Sequence, residues 1–224
     1  MRSAKLRGKL PGTLAILFGV MAAPQSPDPA SILDHAATVY RGVTTVSADF
    51  VQIITNPMVG PPDTTRGKLY ERRPGEFAMR FTAPSGDRIV ADGRYLWLYT
   101  PSTTPDQVIR RRIPDTGTTG PNLIGQFVEH PHERFLARYV RADSSAGGAG
   151  IADVVALTPR DQNAPYAGAR VWIARNDGLV RRIDISEAGG QERTVILSEL
   201  RINGSVPAGE FRFTPPGGTR VVDQ

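Results

Sequence analysis

Beyond Val43 the apolar side chains fall on every second position through one short segment after another, and this period of two restricts the fold more than any other feature of the sequence. In "VSADFVQII", Val46, Ala48 and Phe50 alternate with their neighbours; in "FAMRFTAP", Phe77, Met79 and Phe81 share one side and Arg80 lies on the other. Such alternation belongs to strands that bury one face only, as antiparallel sheets do. Turn signals separate the segments. Asp92-Gly93 in "RIVADGRYLWLYTP" and Asn176-Asp177-Gly178 in "GARVWIARNDGLVRRIDISEA" supply residues that accept the positive φ of tight hairpins. The series runs on through "TTRGKLYERR", "QVIRRRI", "FLARYVRA", "IADVVALTPR", "QERTVILSELRI" and "EFRFTPP" without a repeat, giving about eleven or twelve strands. That many twisted strands cannot stay flat, so the expected fold is mainly β (α+β): one large, curled antiparallel sheet with helices over its concave side.

Two segments depart from the period of two. In "DPASILDHAATVYRG", Asp28 stands as N-cap, Pro29 at the first helical position and Gly42 just past the end. Ile32, Leu33, Ala36, Ala37 and Tyr40 then form an apolar stripe that must lie on something apolar. In "TTGPNLIGQFVEHPHERF", Leu123, Ile124, Phe127 and Val128 make one face of a short helix between Pro121 and Pro131, with Gly117 and Gly120 as hinge candidates. "NGS" at Asn203 matches a glycosylation sequon but reads first as a turn.

The first residues have another purpose. Arg2, Lys5, Arg7 and Lys9 precede the apolar "LPGTLAILFGVMA", which ends in small residues at Ala22 and Ala23, the pattern of a secretory signal peptide over residues 1–22. Pro11 and Gly12 interrupt the stretch, and it is too short for a good membrane span. The expected organisation is therefore a leader followed by one domain over residues 23–224. Without the four leader cations, 23 Lys and Arg remain against 22 Asp and Glu, so the formal charge drops from +5 to +1. The basic character is mostly targeting. The run Arg110-Arg111-Arg112 alternates between strand faces, which blunts an edge rather than building a nucleic-acid footprint. With no cysteine, neither a disulfide framework nor a lipid-modified cysteine at the cleavage site is available, and stability must come from packing.

Catalytic patterns are sparse. The chain lacks G-x-S-x-G, H-E-x-x-H and a phosphate-cradling G-K-[ST], and its histidines are His35, His130 and His132. "EHPHE" offers Glu129, His130, His132 and Glu133, but H-x-H without a third well-placed histidine is a weak metal signal, and no metal or cofactor is expected. Paired carboxylates that converge only in space are not decided by sequence. What is in excess is an apolar, aromatic strand face beneath a proline-framed apolar helix. The residues alone fit two readings, an ordinary core and a ligand cavity.

The stretch "ERRPGEFAMRFTAPSGDRIVADGRYLWLYTPSTTPDQV" resembles the LolA family of periplasmic lipoprotein carriers. The resemblance rests on Arg73-Pro74, Phe77, Pro84, Ala91-Asp92-Gly93, Leu96-Trp97, Tyr99-Thr100-Pro101 and Gln107-Val108 at the family's spacing. It extends to "ADFVQ" upstream and "NGSVPAGEFRFTPPGGTRVVDQ" downstream, nearly the whole mature chain. It implies an incomplete antiparallel β-barrel closed by helices over a hydrophobic cavity. It also implies an activity that needs no enzyme chemistry, in which acyl chains of lipoproteins released by an inner-membrane ABC transporter are carried to an outer-membrane acceptor of the LolB type. A soluble, periplasmic monomer is expected.

By that pattern the cavity lining is assigned to Phe77, Met79, Phe81, Trp97 and Tyr99, with Leu123, Ile124 and Phe127 on the lid helix. Met79 stands where many relatives have an aromatic. Arg73 matches the family's gate arginine, which bonds lid-helix backbone in the closed state; its neighbour Arg72 is the alternative. The LolB acceptor shares the fold but is itself a lipoprotein, a role that a chain without cysteine does not fit. A stress-sensing relative carries an added C-terminal domain, for which the chain ending at Gln224 leaves no room.

Overall fold

The computed structural model describes residues 26–114, 122–145, 150–187 and 189–224. The expected leader over residues 1–22 and the hinge candidates Gly117 and Gly120 lie outside them. Helix α1 (Pro29–Arg41) starts where the sequence places it, because both Asp28 carboxylate oxygens accept amides of its first turn, from Ala30 at 3.1 Å and Ser31 at 3.2 Å. It ends at Gly42, whose N–H reaches back to the carbonyl of Val39.

Strands β1 (Thr45–Thr55), β2 (Asp63–Arg72), β3 (Glu76–Ala83), β4 (Ser85–Asp92), β5 (Tyr95–Tyr99) and β6 (Gln107–Arg112) form an antiparallel meander. After the short helices α2 (Gly125–Val128) and α3 (Pro131–Arg134), a second meander follows: β7 (Phe135–Asp143), β8 (Ala152–Pro159), β9 (Tyr166–Ala174), β10 (Val180–Glu187) and β11 (Glu192–Ile202). β11 pairs with β1, joining the meanders into one sheet. Strand β12 (Arg220–Asp223) adds to the far edge, for an order of β12-β6-β5-β4-β3-β2-β1-β11-β10-β9-β8-β7. The described residues thus hold twelve strands, and the final pairing, β12 with β6, is parallel rather than antiparallel. The sequence hides β12 because it is four residues long and follows a Pro/Gly-rich turn.

Register decides which side chains share a face. Phe77 lies opposite Ala91, which lies opposite Leu96; one step along, Ala78 lies opposite Val90, which lies opposite Trp97. Cross-strand partners point the same way, so the first row faces one side of the sheet and the second row the other. The helices cover the first side, the concave one of the expected curled sheet. There Leu33, Ala36 and Tyr40 of α1 and Ile124, Phe127 and Val128 of the lid segment pack with Phe50, Leu69, Phe77, Met79, Phe81, Val171 and Leu197 in the main core. On the convex side a smaller cluster of Ala78, Val90, Trp97 and Val108 is covered by Phe211, in a 3-10 turn at Ala208–Phe211, and by Phe213.

One glycine in β2 is required by close approach. A Cβ on Gly67 would sit 2.1 Å from the carbonyl oxygen of Arg80 and 2.9 Å from the Phe50 ring. Its bare backbone makes room for the edge-to-face contact of Phe50 with Phe81, centroids 5.2 Å apart, at the centre of the concave face.

Candidate functional site

The concave face is sealed. Phe77, Met79 and Phe81 from β3 keep between 4% and 8% of their surface, and Ile124 and Phe127 above them keep none. Leu123 packs against the same cluster. Phe127 stacks on Phe135 of β7 at 6.2 Å and leans on Tyr166 of β9 at 5.7 Å, so the lid segment bridges toward strands at the other end of the sheet.

The local sequence explains how so short a helix forms. The Asn122 side chain accepts the N–H of Gly125 at 2.6 Å, initiating the turn, and the Glu129 N–H donates to the carbonyl of Gly125 at 2.8 Å, closing it. A Cβ at Gly125 would lie 2.0 Å from the Asn122 amide and would push that side chain off the cap. The next helix is tied to α1 by His132, whose Nε2 lies 2.7 Å from the Asp34 carboxylate. His130 and Glu133 are exposed, and among the described residues no group of three potential metal ligands occurs.

Six of the assigned residues, Phe77, Met79, Phe81, Leu123, Ile124 and Phe127, come together on this face. Trp97 and Tyr99 do not. They lie on the convex side, where Trp97 packs 5.7 Å from Phe213 and donates its Nε1–H to Asp92 at 2.8 Å. The assignment of these two to the cavity is corrected by register: the Asp92-Gly93 turn sets Leu96, not Trp97, opposite Ala91. Leu96 and Ile89 take the inward positions instead. Aromatic character suggested the wrong parity; the smaller aliphatic residues carry the inner face of that hairpin.

Arg73 and Arg72 also separate. Arg72 pairs with Glu76 and places its guanidinium 4.7 Å from the Phe211 ring, on the convex side. Arg73 faces the lid and pairs with the carboxylate of Glu129, the residue that follows α2. The expected bonds from Arg73 to lid backbone are replaced by this side-chain pair. The lid backbone is held by a residue the sequence reading missed: Glu71 accepts the Leu123 N–H at 3.1 Å. Burial pushes the Glu71 carboxyl up to about 7, against the opposing pull of the Leu123 amide, the Arg73 guanidinium and the Ile124 amide. Leu69, Glu71 and Arg73 share one face by alternation, so a carboxylate on the inward row, beside the motif arginine, was the available signal.

Comparison with known proteins supplies the identity of the scaffold. A family model described as outer membrane lipoprotein carrier protein LolA matches residues 41–214. The chain belongs to the LolA family. An outer-membrane lipoprotein carrier protein from Chromobacterium violaceum is 28% identical over 94% of this chain and 95% of its own length. One from Bordetella pertussis is 30% identical over 94% of this chain and 95% of its own length. Among solved structures, an uncharacterized conserved protein from Thermus thermophilus superposes with a TM-score of 0.53 at 15% identity, over 87% of this chain and 98% of that one, which speaks to the fold alone. Among the described residues no helix is long and apolar enough to cross a membrane.

Proposed function

We propose that this LolA-family member is a periplasmic carrier that receives the acyl chains of lipoproteins on its concave face and passes them to an outer-membrane acceptor. The observation that carries the reading is the manner of closure. Beside α1, a continuous apolar face is covered by a four-residue helix whose polar ties to the sheet are concentrated in Glu71 and Arg73. Displacing Ile124, Phe127 and Val128 exposes three fully buried apolar side chains at roughly 1.5–3 kcal/mol each. About ten acyl methylenes, at roughly 0.8 kcal/mol apiece, offset that cost. A single lipid chain is therefore enough to exchange with the lid, and the lid is enough to help expel it. No bond is made or broken, so no catalytic group is required.

In this mechanism Arg73 is the gate residue. Its guanidinium grips Glu129 when the lid is closed and frees it when cargo holds the lid away. An inner-membrane ABC transporter is the source of cargo, and an acceptor of the LolB type its destination.

Native mass spectrometry of the protein with a triacylated lipoprotein, and separately with the unlipidated form, tests the reading. A one-to-one complex with the lipidated form alone supports it. Equal complexes with both forms, or none with either, overturn it. Turnover of an ester or glycosidic substrate in place of stoichiometric uptake would indicate a hydrolase on the same scaffold.

A further inference from the structure

The lid is fastened at both ends of α2, and the two fastenings differ in kind. At its trailing end Arg73 meets Glu129 in an ion pair about a third exposed. At its leading end Glu71 accepts backbone N–H groups, which no substitution in the lid short of proline can remove. Glu71 projects from the inward row of β2 between Val46 of β1 and Phe77 of β3, both buried and apolar. Neither neighbour can hydrogen-bond the carboxyl.

We infer that Glu71 is a positioning residue for the lid, a latch that holds the leading turn of α2 closed and releases it more readily as pH rises. The inference rests on the carrier reading for its purpose but on the geometry of the latch for its existence. The charged and titratable groups around the carboxyl are few. Arg73, just past the end of the same strand, favours its ionised form; Glu129, at the far end of the lid, disfavours it; the buried Tyr40 of α1 feels the charge of Glu71 and, besides it, those of Arg181 and Asp177. A recess of about 30 Å³, lined in part by Glu71, Arg73 and Asn122, adjoins the site and has room for about one water.

Closed, the carboxyl titrates at about 7; exposed to water by lid opening, it returns toward its ordinary 4.5. The closed state therefore binds the proton more tightly, and opening at a pH between the two values releases one. Linkage between these two values predicts that the ratio of open to closed lid rises about tenfold between pH 6 and pH 8. His132 against Asp34 is a neighbouring contact of the same helical cover, so the test must isolate Glu71.

Hydrogen exchange at the amides of Leu123 and Ile124, corrected for the intrinsic base dependence of exchange, reads the opening directly. In the wild-type protein the protection is expected to fall about tenfold from pH 6 to pH 8. Glu71→Gln keeps an acceptor of the same shape without the titration and should show a flat profile. A flat wild-type profile overturns the inference by itself, so it does not depend on the variant folding. An equal fall in wild type and Glu71→Gln also overturns it. Uptake of the uncharged fluorophore N-phenyl-1-naphthylamine, measured over the same range, is the separate arm: a pH-dependent lid that never admits the probe would sink the carrier reading and leave the latch standing.

Discussion

Replacing Phe127 with alanine separates a lid from a core. The ring is fully buried against Phe135 and Tyr166, and its loss from an ordinary interior costs about 3–5 kcal/mol of global stability, combining transfer and residual cavity. If α2 is a lid, the cost falls on the closed state only. Once closure is weakened past the free energy of opening, the protein occupies its open form and loses no more. The global loss is then capped at the opening free energy, below the full 3–5 kcal/mol, while the affinity for an apolar fluorophore rises because less closure has to be undone. Urea denaturation monitored by far-UV circular dichroism, with N-phenyl-1-naphthylamine titration of the same variant, measures both quantities. A full core-type loss of stability with no gain in probe affinity would show that the segment is permanent packing, and the gating argument would fall with it.

Four further outcomes follow from the same geometry. Arg73→Leu removes a pair whose members are each about a third exposed, so it should change stability by less than about 1 kcal/mol yet impair transfer of a bound lipoprotein to an acceptor in a two-protein assay; normal transfer would remove Arg73 from the mechanism. Gly67→Ala drives a Cβ into the Arg80 carbonyl and the Phe50 ring and should destabilise by about 3 kcal/mol or more in chemical denaturation. Trp97→Phe breaks the bond to Asp92 and should cost about 1–3 kcal/mol without altering probe affinity, since Trp97 lies on the convex side; a large affinity change would restore it to the cavity. Because burial raises the Glu71 carboxyl to about 7, folding stability contributed by its protonated form is complete below pH 4.5 and is lost as pH rises through 7; the loss, up to about 3 kcal/mol and less in proportion to water access, should vanish from the pH-stability curve of Glu71→Gln.

The sheet was legible because its signals are local. Alternation in "FAMRFTAP" and the Asp-Gly turns need only nearest neighbours to act, and Asp28, Pro29 and Gly42 fix α1 within its own turns. The two faces were harder to tell apart. Both are apolar in the β4–β5 hairpin, with Leu96 and Ile89 inward and Trp97 and Val90 outward, so hydrophobicity carries no parity there. What makes the convex row buried is Phe211 and Phe213, which arrive from more than a hundred residues away. Glu71 was missed for a related reason. Its partners are backbone amides of Leu123 and Ile124, and no side-chain pattern announces a backbone donor.

The two covered faces also differ in how firmly they are covered, and this difference is the physical case for placing cargo on the concave side. The convex cover is continuous with β12, which is hydrogen-bonded to β6 along four residue pairs. It is further tied by Arg110 to Asp223 and by Arg80 to Glu210. Peeling it away means breaking a sheet edge. On the concave side α1 covers part of the face, and the part beside it is closed by α2, a helix of four residues, far below the length at which a helix holds itself in water, so its conformation depends on packing and on the contacts at its two ends. Lifting it breaks few backbone bonds and exposes a small apolar area, a cost that a hydrocarbon chain of moderate length can match. A cover that weak over a face that apolar is stable enough to keep water out when empty and yields when an acyl chain takes its place.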